Sequence, residues 1–287
     1  MTIEVKNISK NFKKTCALNG VSFSLEPNKI YGLLGNNGAG KTTLLNIITG
    51  RLLADSGTVE IDGGSNLNND NALSKCFLLS ADNLYPSDMK VSGAYEATKL
   101  FQPQFNEQYA RELAKRFELP LNRKITALST GYASIFRLTV ALSVGTPYLL
   151  LDEPVLGLDA QHRDLFYKLL IEKYAENPCT IVISTHLIGE VANLLEQTII
   201  IRDGRIIQNL PNEQMLSGGY TVSGPAVAVG QFVADKKIIS QSGLGGLLTV
   251  CVQGTPPERV PAGLELSRLN LQDYFIQLMN KEDGQNE

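Results

Sequence analysis

The sequence predicts an α/β domain in which a largely parallel sheet is flanked by helices, with an antiparallel edge sheet, an inserted helical subdomain and a small C-terminal α+β appendix. Compact apolar runs at 29–34, 76–79, 148–151 and 180–184, bounded by turn residues, read as strands buried on both faces. Residues 2–8, 21–25 and 58–61 instead alternate polar and apolar side chains, which suits an antiparallel sheet at one edge. Between Val91 and Phe117 the period becomes helical, with Tyr95, Leu100, Tyr109, Leu113 and Phe117 spaced for one apolar stripe.

Taken in order, the edge strands open the chain, a buried strand at 29–34 leads into a helix over 42–49, and the helical insertion occupies about 83–143. Ile199-Ile200-Ile201 and Ile206-Ile207 flank Asp203-Gly204, a hairpin signal because Asp-Gly accepts a two-residue turn. This hairpin closes the main domain, expected over 1–210. From 211 to 287 the texture changes: Pro211, Ser217-Gly218-Gly219, Gly224-Pro225 and 243–246 punctuate short strands and two weak helices, the last over 271–279. The stretch reads as a small appendix without a catalytic constellation.

The chain has 287 residues, 43% of them hydrophobic, enough to bury a real core. Its 26 Lys+Arg against 29 Asp+Glu give a net charge of -3, so nothing draws it to a phosphate backbone, and no nucleic-acid partner is expected. Cys16, Cys76, Cys179 and Cys251 form no CxxC pair and no metal-like spacing with His162 or His186; they read as reduced, mostly buried thiols of a cytoplasmic protein. The polar and apolar alternation at 2–8, followed by Lys10, Lys13 and Lys14, is no signal peptide. The longest apolar stretch, 138–151, is broken by Thr139, Ser143, Gly145, Thr146 and Pro147, short of the ~20 residues a membrane helix needs.

The chemistry begins at Gly35-Asn36-Asn37-Gly38-Ala39-Gly40-Lys41-Thr42, which fits G-x-x-x-x-G-K-[ST] and sits between a buried strand and a helix, as the P-loop requires. The glycines let successive N–H groups wrap phosphate oxygens, and the helix N-terminus adds its partial positive charge. Lys41 would bridge the β- and γ-phosphates of a bound nucleotide, and Thr42, with Thr43 beside it, would offer a hydroxyl to Mg²⁺.

The strand at 148–151 ends in Asp152-Glu153-Pro154. Adjacent strand residues point to opposite sides, so the two carboxylates need not share one role. Asp152 would hold Mg²⁺ through its water shell, and Glu153 would act as general base on the attacking water. Alone, Asp-Glu-Pro after a strand is more often a turn; the P-loop upstream reverses that weighting. His186 follows another strand end, where ligands of open α/β folds gather, and its imidazole could donate to the γ-phosphate.

These residues, in this order and spacing, resemble the ATP-binding cassette (ABC) family. Leu128-Ser129-Thr130-Gly131-Tyr132 looks like the family's signature sequence, opening a helix to about Ser143, and Val155-Leu156-Gly157-Leu158-Asp159 resembles its D-loop. Phe12 falls where the family places an aromatic ring on adenine. The resemblance covers about residues 1–210, and residues 184–191 with the glycine-punctuated tail look like the nucleotide-binding subunits of the bacterial ABC-2 exporter type. It implies a P-loop NTPase domain that hydrolyses ATP with Mg²⁺ at the cytoplasmic face of the cell membrane. It also implies two partners: a second nucleotide-binding subunit, identical or related, and a transmembrane permease subunit. Ser129 and the Gly131 N–H form an anion site at a helix N-terminus with no phosphate of its own, so two chains head to tail would complete each other's pockets. The plainer alternative is that Ser129 or Thr130 only caps the helix.

Two departures stand out. Most family members carry Gln after the strand corresponding to 76–79, where it touches Mg²⁺ or the attacking water; this chain has Ser80, with Asp82 close by. Ser80 would reach Mg²⁺ only through water, weakening the link between γ-phosphate and helical insertion. Thr130 and Tyr132 replace the usual Gly and Gln of the signature, which is tolerable because Ser129 and backbone supply the phosphate contacts.

A soluble or regulatory ATPase switch of the same family is the alternative function, and the Ser80 departure keeps a poorly hydrolysing regulator open. The interval from Lys41 to Ser129 holds no sustained heptads of the DNA-structuring kind. No Asn-Lys-x-Asp guanine-reading element supports a GTPase, and neither a GTPase nor a small-molecule kinase accounts for the signature. Ser80→Gln is expected to change ATP turnover, or its stimulation by a partner; unchanged rates in a phosphate-release assay would remove the weakened-coupling reading.

Overall fold

The computed structural model describes residues 1–82, 84–257 and 259–280. Its contacts fall into two units, Met1–His186 with Ile199–Asn209, and Leu187–Thr198 with the chain from Leu210 onward. The first unit begins β1 (Ile3–Phe12), β2 (Thr15–Leu25), β3 (Ile30–Leu34), α1 (Lys41–Ile48), β4 (Ser56–Ile61), β5 (Gly64–Ser65), α2 (Asp70–Leu73) and β6 (Cys76–Leu79). It continues through α3 (Val91–Phe101), α4 (Glu107–Arg116), α5 (Thr130–Ser143), β7 (Tyr148–Asp152), α6 (Ala160–Glu176) and β8 (Thr180–Thr185). After α7 (Ile188–Val191), β9 (Gln197–Arg202) and β10 (Arg205–Pro211) form the expected hairpin, with Asp203 and Gly204 both at positive φ as the tight turn demands.

The six-stranded sheet runs β10-β9-β3-β8-β7-β6, and the β3–β8, β8–β7 and β7–β6 pairs are parallel. Every residue of β3 and β8 is buried, which accounts for their unbroken apolar texture. The second sheet, β2-β1-β4-β5, pairs β1 antiparallel to both neighbours. Its register shifts at three points along β1 and β2: Ile3, Val5 and Ile8 are all buried because the first shift falls between Val5 and Ile8, with Asn7 at φ +52° taking up the extra residue. Opposite this bulge only glycine fits at position 57, where a Cβ would lie 2.4 Å from the Asn7 carbonyl oxygen.

The helical insertion packs around Tyr95, whose ring lies 6.0 Å from those of Phe105 and Phe136 and whose hydroxyl meets Thr139 Oγ1 at 2.6 Å. The single stripe expected through Leu100 does not hold. Tyr95, Leu113 and Phe117 are fully buried, but Leu100 and Phe101 are 80% and 83% exposed, because α3 ends there and α4 restarts the helical phase at Glu107. The first position expected for this insertion, residue 83, lies outside the described residues.

Three of the four unpaired cysteines are buried and Cys16 is exposed; burial pushes the Cys76 thiol up to about 12. Among the described residues no helix is long and apolar enough to cross a membrane. The second unit adds α8 (Asn212–Leu216), β11 (Gly219–Pro225), α9 (Ala226–Val233), β12 (Ile238–Leu244), β13 (Leu247–Gln253), β14 (Glu265–Arg268) and α10 (Leu271–Asn280). Its antiparallel sheet, β12-β13-β11-β14, packs Val222, Val250 and Val252 against Val229 and Val233 of α9.

One polar knot ties the two sheets of the first unit together. Asp62, just past β4, accepts from Tyr148 of β7 at 2.5 Å, from the Thr2 N–H at 2.9 Å and from Lys75 Nζ at 2.8 Å. Burial pushes the Asp62 carboxyl up, but these donors outweigh it and hold the group below the ordinary carboxylate value. Burial, reinforced by Asp62, pushes the Tyr148 hydroxyl the other way. The depressed Asp62 contributes stability that is present above the unfolded carboxylate pKa, about 3.9, and is lost as pH falls through the lower folded value. Tyr148→Phe should therefore cost on the order of 1–3 kcal/mol at neutral pH, a difference that shrinks in acid, as read from urea midpoints across pH.

Candidate active site

β3, β8 and β7 are consecutive parallel neighbours, with Leu34 opposite Thr185 and Asp152 opposite Ser184. The loop after β3, the carboxylates ending β7 and His186 after β8 therefore emerge side by side on the carboxyl edge of one sheet, where open α/β folds hold ligands.

Residues 35–40 link β3 to α1. Gly40 has φ +107°, and a Cβ there would lie 2.5 Å from the Ala17 carbonyl oxygen, so no other residue keeps this turn. The buried Ala39 accepts the Gly204 N–H at 3.1 Å, pinning the loop to the β9–β10 turn, while Asn36, Asn37 and Gly38 are exposed. The first turn of α1 has no acidic residue to oppose its positive end.

Lys41 is 5% exposed, and its Nζ donates to the carbonyls of Gly35 at 2.7 Å and Asn36 at 3.2 Å. Glu153 Oε1 lies 3.8 Å away. Burial lowers the ammonium's pKa, against the opposing pull of Glu153 and Asp152. Thr42, exposed, donates its hydroxyl to Asp152 Oδ2 at 2.7 Å, and Ser184 donates to Asp152 Oδ1 at 2.8 Å. A hydroxyl and one carboxylate in contact fit Mg²⁺, which takes hard oxygen donors and completes its octahedron with water and phosphate. Thr43 is half-buried beside Thr42.

Strand alternation does not carry past Asp152. Glu153 sits at φ +46°, a left-handed conformation costly for a residue with a Cβ, and it lines the same cleft as Asp152. One carboxylate meets Thr42 and the other Lys41. The conformation is held by the Glu153 N–H on the Ser184 carbonyl at 2.8 Å, by Thr185 Oγ1 donating to Oε2 at 3.2 Å, and by His186 Nδ1 lying 3.0 Å from both carboxylate oxygens. Ser184 and Thr185 escaped the sequence reading; two hydroxyls closing an otherwise apolar strand were the available signal.

Ser80 is buried and lines the same cleft, of about 730 Å³, as Thr42, Asp152 and Glu153. Its hydroxyl is engaged elsewhere, accepting from Arg51 and donating to Asp82, each at 3.4 Å. Phe12 closes β1 with 47% of its surface open and Lys10 Nζ 5.7 Å from the ring centre.

Ser129, Gly131 and Asp159 form a second group. Ser129 is exposed and caps α5, accepting the Tyr132 N–H at 3.3 Å. A Cβ on Gly131 would lie 3.2 Å from the Gly157 carbonyl, so the start of α5 abuts the 155–159 loop. Asp159 caps α6, and the backbone N–H and ring of His162 together hold its carboxyl below the ordinary value.

The sequence model of the family described as ABC transporter matches residues 18–156. The Nod factor export ATP-binding protein I of Burkholderia orbicola (strain AU 1054) is 34% identical over 215 residues, covering 71% of this chain and 69% of that protein. The chain belongs to the ABC transporter family. The ABC transporter ATP-binding protein YtrB of Bacillus subtilis (strain 168) is 29% identical over 204 residues, 71% of this chain and 70% of YtrB. A solved dimeric ATP-binding cassette, in a post-hydrolysis state with ADP and Pi, aligns with TM-score 0.65 and 25% identity over 73% of this chain and 98% of that one. The P-loop NTPase cassette fold expected from the sequence is thereby shown, and the chain is an ATP-binding subunit of this transporter family.

Gly40→Ala should cost at least about 1 kcal/mol in backbone conformation alone, besides the clash with Ala17. Loss of nucleotide binding in equilibrium dialysis together with a lowered thermal midpoint is the expected outcome.

Proposed function

We propose that this ABC subunit hydrolyses ATP to ADP and phosphate between two paired cassettes and passes their closure to a membrane-spanning partner at the cytoplasmic face. The observation that carries this reading is the strained Glu153, held by Ser184, Thr185 and His186 and aimed at the P-loop lysine.

The N–H groups of 35–42 would cradle the phosphates, and Lys41, already pointed into its own loop, would exchange carbonyl partners for the β- and γ-phosphate oxygens. Phe12 offers an open ring for adenine. Thr42 and Asp152 would hold Mg²⁺, which when bound neutralises phosphate charge. Glu153 would accept a proton from the attacking water, with Thr185 fixing one oxygen and His186 exchanging its contact with Glu153 for one with the γ-phosphate.

Ser129 stands exposed, near the Gly131 N–H, at the end of a helix whose phosphate would come from another cassette, either a second copy or a related chain. Asp159, beside them at the head of α6, would join that interface. ATP then favours the closed pair and hydrolysis releases it, since the γ-phosphate makes contacts available only when both cassettes are present. The relatives named as ATP-binding proteins of a transporter and of an export system support a permease as the driven partner.

Glu153→Gln should lower turnover by roughly 10²–10⁴-fold and leave an ATP-bound pair visible by light scattering, whereas Lys41→Ala should abolish ATP binding. Normal turnover in the Glu153→Gln chain would remove the general-base role.

A further inference from the structure

Two arginines outside the hydrolytic machinery converge on the loop that follows β6. Arg51, just past the end of α1, donates to the Leu78 carbonyl at 3.1 Å and to Ser80 Oγ at 3.4 Å. Arg137, on α5, donates to the Ala81 carbonyl at 3.4 Å and to Ser134 Oγ at 3.0 Å. Between them, Ser80 Oγ donates to Asp82 at 3.4 Å, and Asp82 is the carboxylate whose charge acts on both guanidinium groups. The path continues: Ser134 Oγ donates to the Leu156 carbonyl at 3.0 Å, and the Leu156 N–H returns to the Glu153 carbonyl at 3.1 Å. A single polar chain therefore runs from the P-loop helix, through residues 80–82 and the helix headed by Ser129, to the turn that carries Glu153.

Its links are unequal. The contacts at 3.0 and 3.1 Å that anchor each arginine to a strand carbonyl or to its own helix lie in the ordinary range, whereas the three at 3.4 Å that reach residues 80–82 are long. Burial lowers the pKa of both guanidinium groups and Asp82 opposes that effect, so Asp82 is a counter-charge shared by the exposed Arg51 and the half-buried Arg137. Firm ends and a loose middle let the middle partners exchange while the ends stay attached, the behaviour required of a joint between two packed elements.

We propose that Arg51 and Arg137 are positioning residues that set the helix headed by Ser129 against the P-loop through the 80–82 loop, and so fix the ATP concentration at which two copies of this chain pair. The inference rests on the pairing set out under Proposed function. It gives Ser80 a definite place: its hydroxyl accepts from Arg51 and donates to Asp82, so the arginines, in place of a long amide side chain, join the end of the P-loop helix to the helical insertion.

The test uses the full chain carrying Glu153→Gln, titrated with ATP and Mg²⁺ while pairing is followed by light scattering. Adding Arg137→Ala or Asp82→Ala should raise the ATP concentration for half-pairing roughly tenfold, and the two together should do no more than either alone, because each interrupts the same chain of contacts through residues 80–82. Arg51→Ala should act in the same direction. Affinity for ADP, which needs no second cassette, should stay within about twofold by calorimetry. A purely structural role would weaken ADP binding and the thermal midpoint in step with pairing; that result, or additive effects, overturns the proposal. If the Glu153→Gln chain pairs and the arginine and Asp82 variants pair at the same ATP concentration, this inference alone fails. If the Glu153→Gln chain stays single at saturating ATP, pairing of two copies fails and the inference goes with it.

Discussion

The parallel adjacency of β3, β8 and β7 is the constraint on which the rest depends. Parallel neighbours end at the same edge, so three segments far apart in sequence deliver a lysine, two carboxylates and an imidazole to one place without any loop having to reach. The buried faces of these strands make that edge rigid, and the β9–β10 turn fixes the loop after β3 by a backbone hydrogen bond from Gly204 to Ala39. Precision at the site is thus inherited from the sheet.

Against this frame, Glu153 is the strained residue of the site. A left-handed non-glycine residue persists only where its surroundings over-determine it, and here three consecutive residues of the neighbouring strand end, Ser184, Thr185 and His186, supply the restraint. The same hydrogen bonds that stabilise the turn orient the carboxylate, so local structure and chemistry share one set of contacts. Asp152, one residue earlier, keeps normal strand geometry and is gripped from both sides by hydroxyls.

Much of this was legible in the sequence because its signals are local. The buried strands announce themselves by apolar texture, the P-loop by glycines whose backbone role no other residue can fill, and the hairpin by Asp203-Gly204. What escaped was decided by tertiary contact. The positive φ of Glu153 is one that strand periodicity does not foresee. Leu100 lost its place on the helical stripe because the chain breaks between α3 and α4, a phase change hidden in a sequence that reads as continuous. The bulge at Asn7 shifted the alternation by one residue, and the grip of Arg51 and Arg137 on residues 80–82 joins positions too far apart for any motif to link them.

The position of β3 between β8 and β9 bears on how such a chain comes into being. The strand that presents the phosphate loop spans 30–34, yet both of its neighbours lie beyond residue 179. Until those later segments are translated, an apolar strand and its glycine-rich loop have no sheet to enter, and long-range pairing of this kind is intrinsically slow and exposed to aggregation. The phosphate loop at 35–42 therefore takes its final setting only once segments about 150 residues further along the chain have joined the sheet.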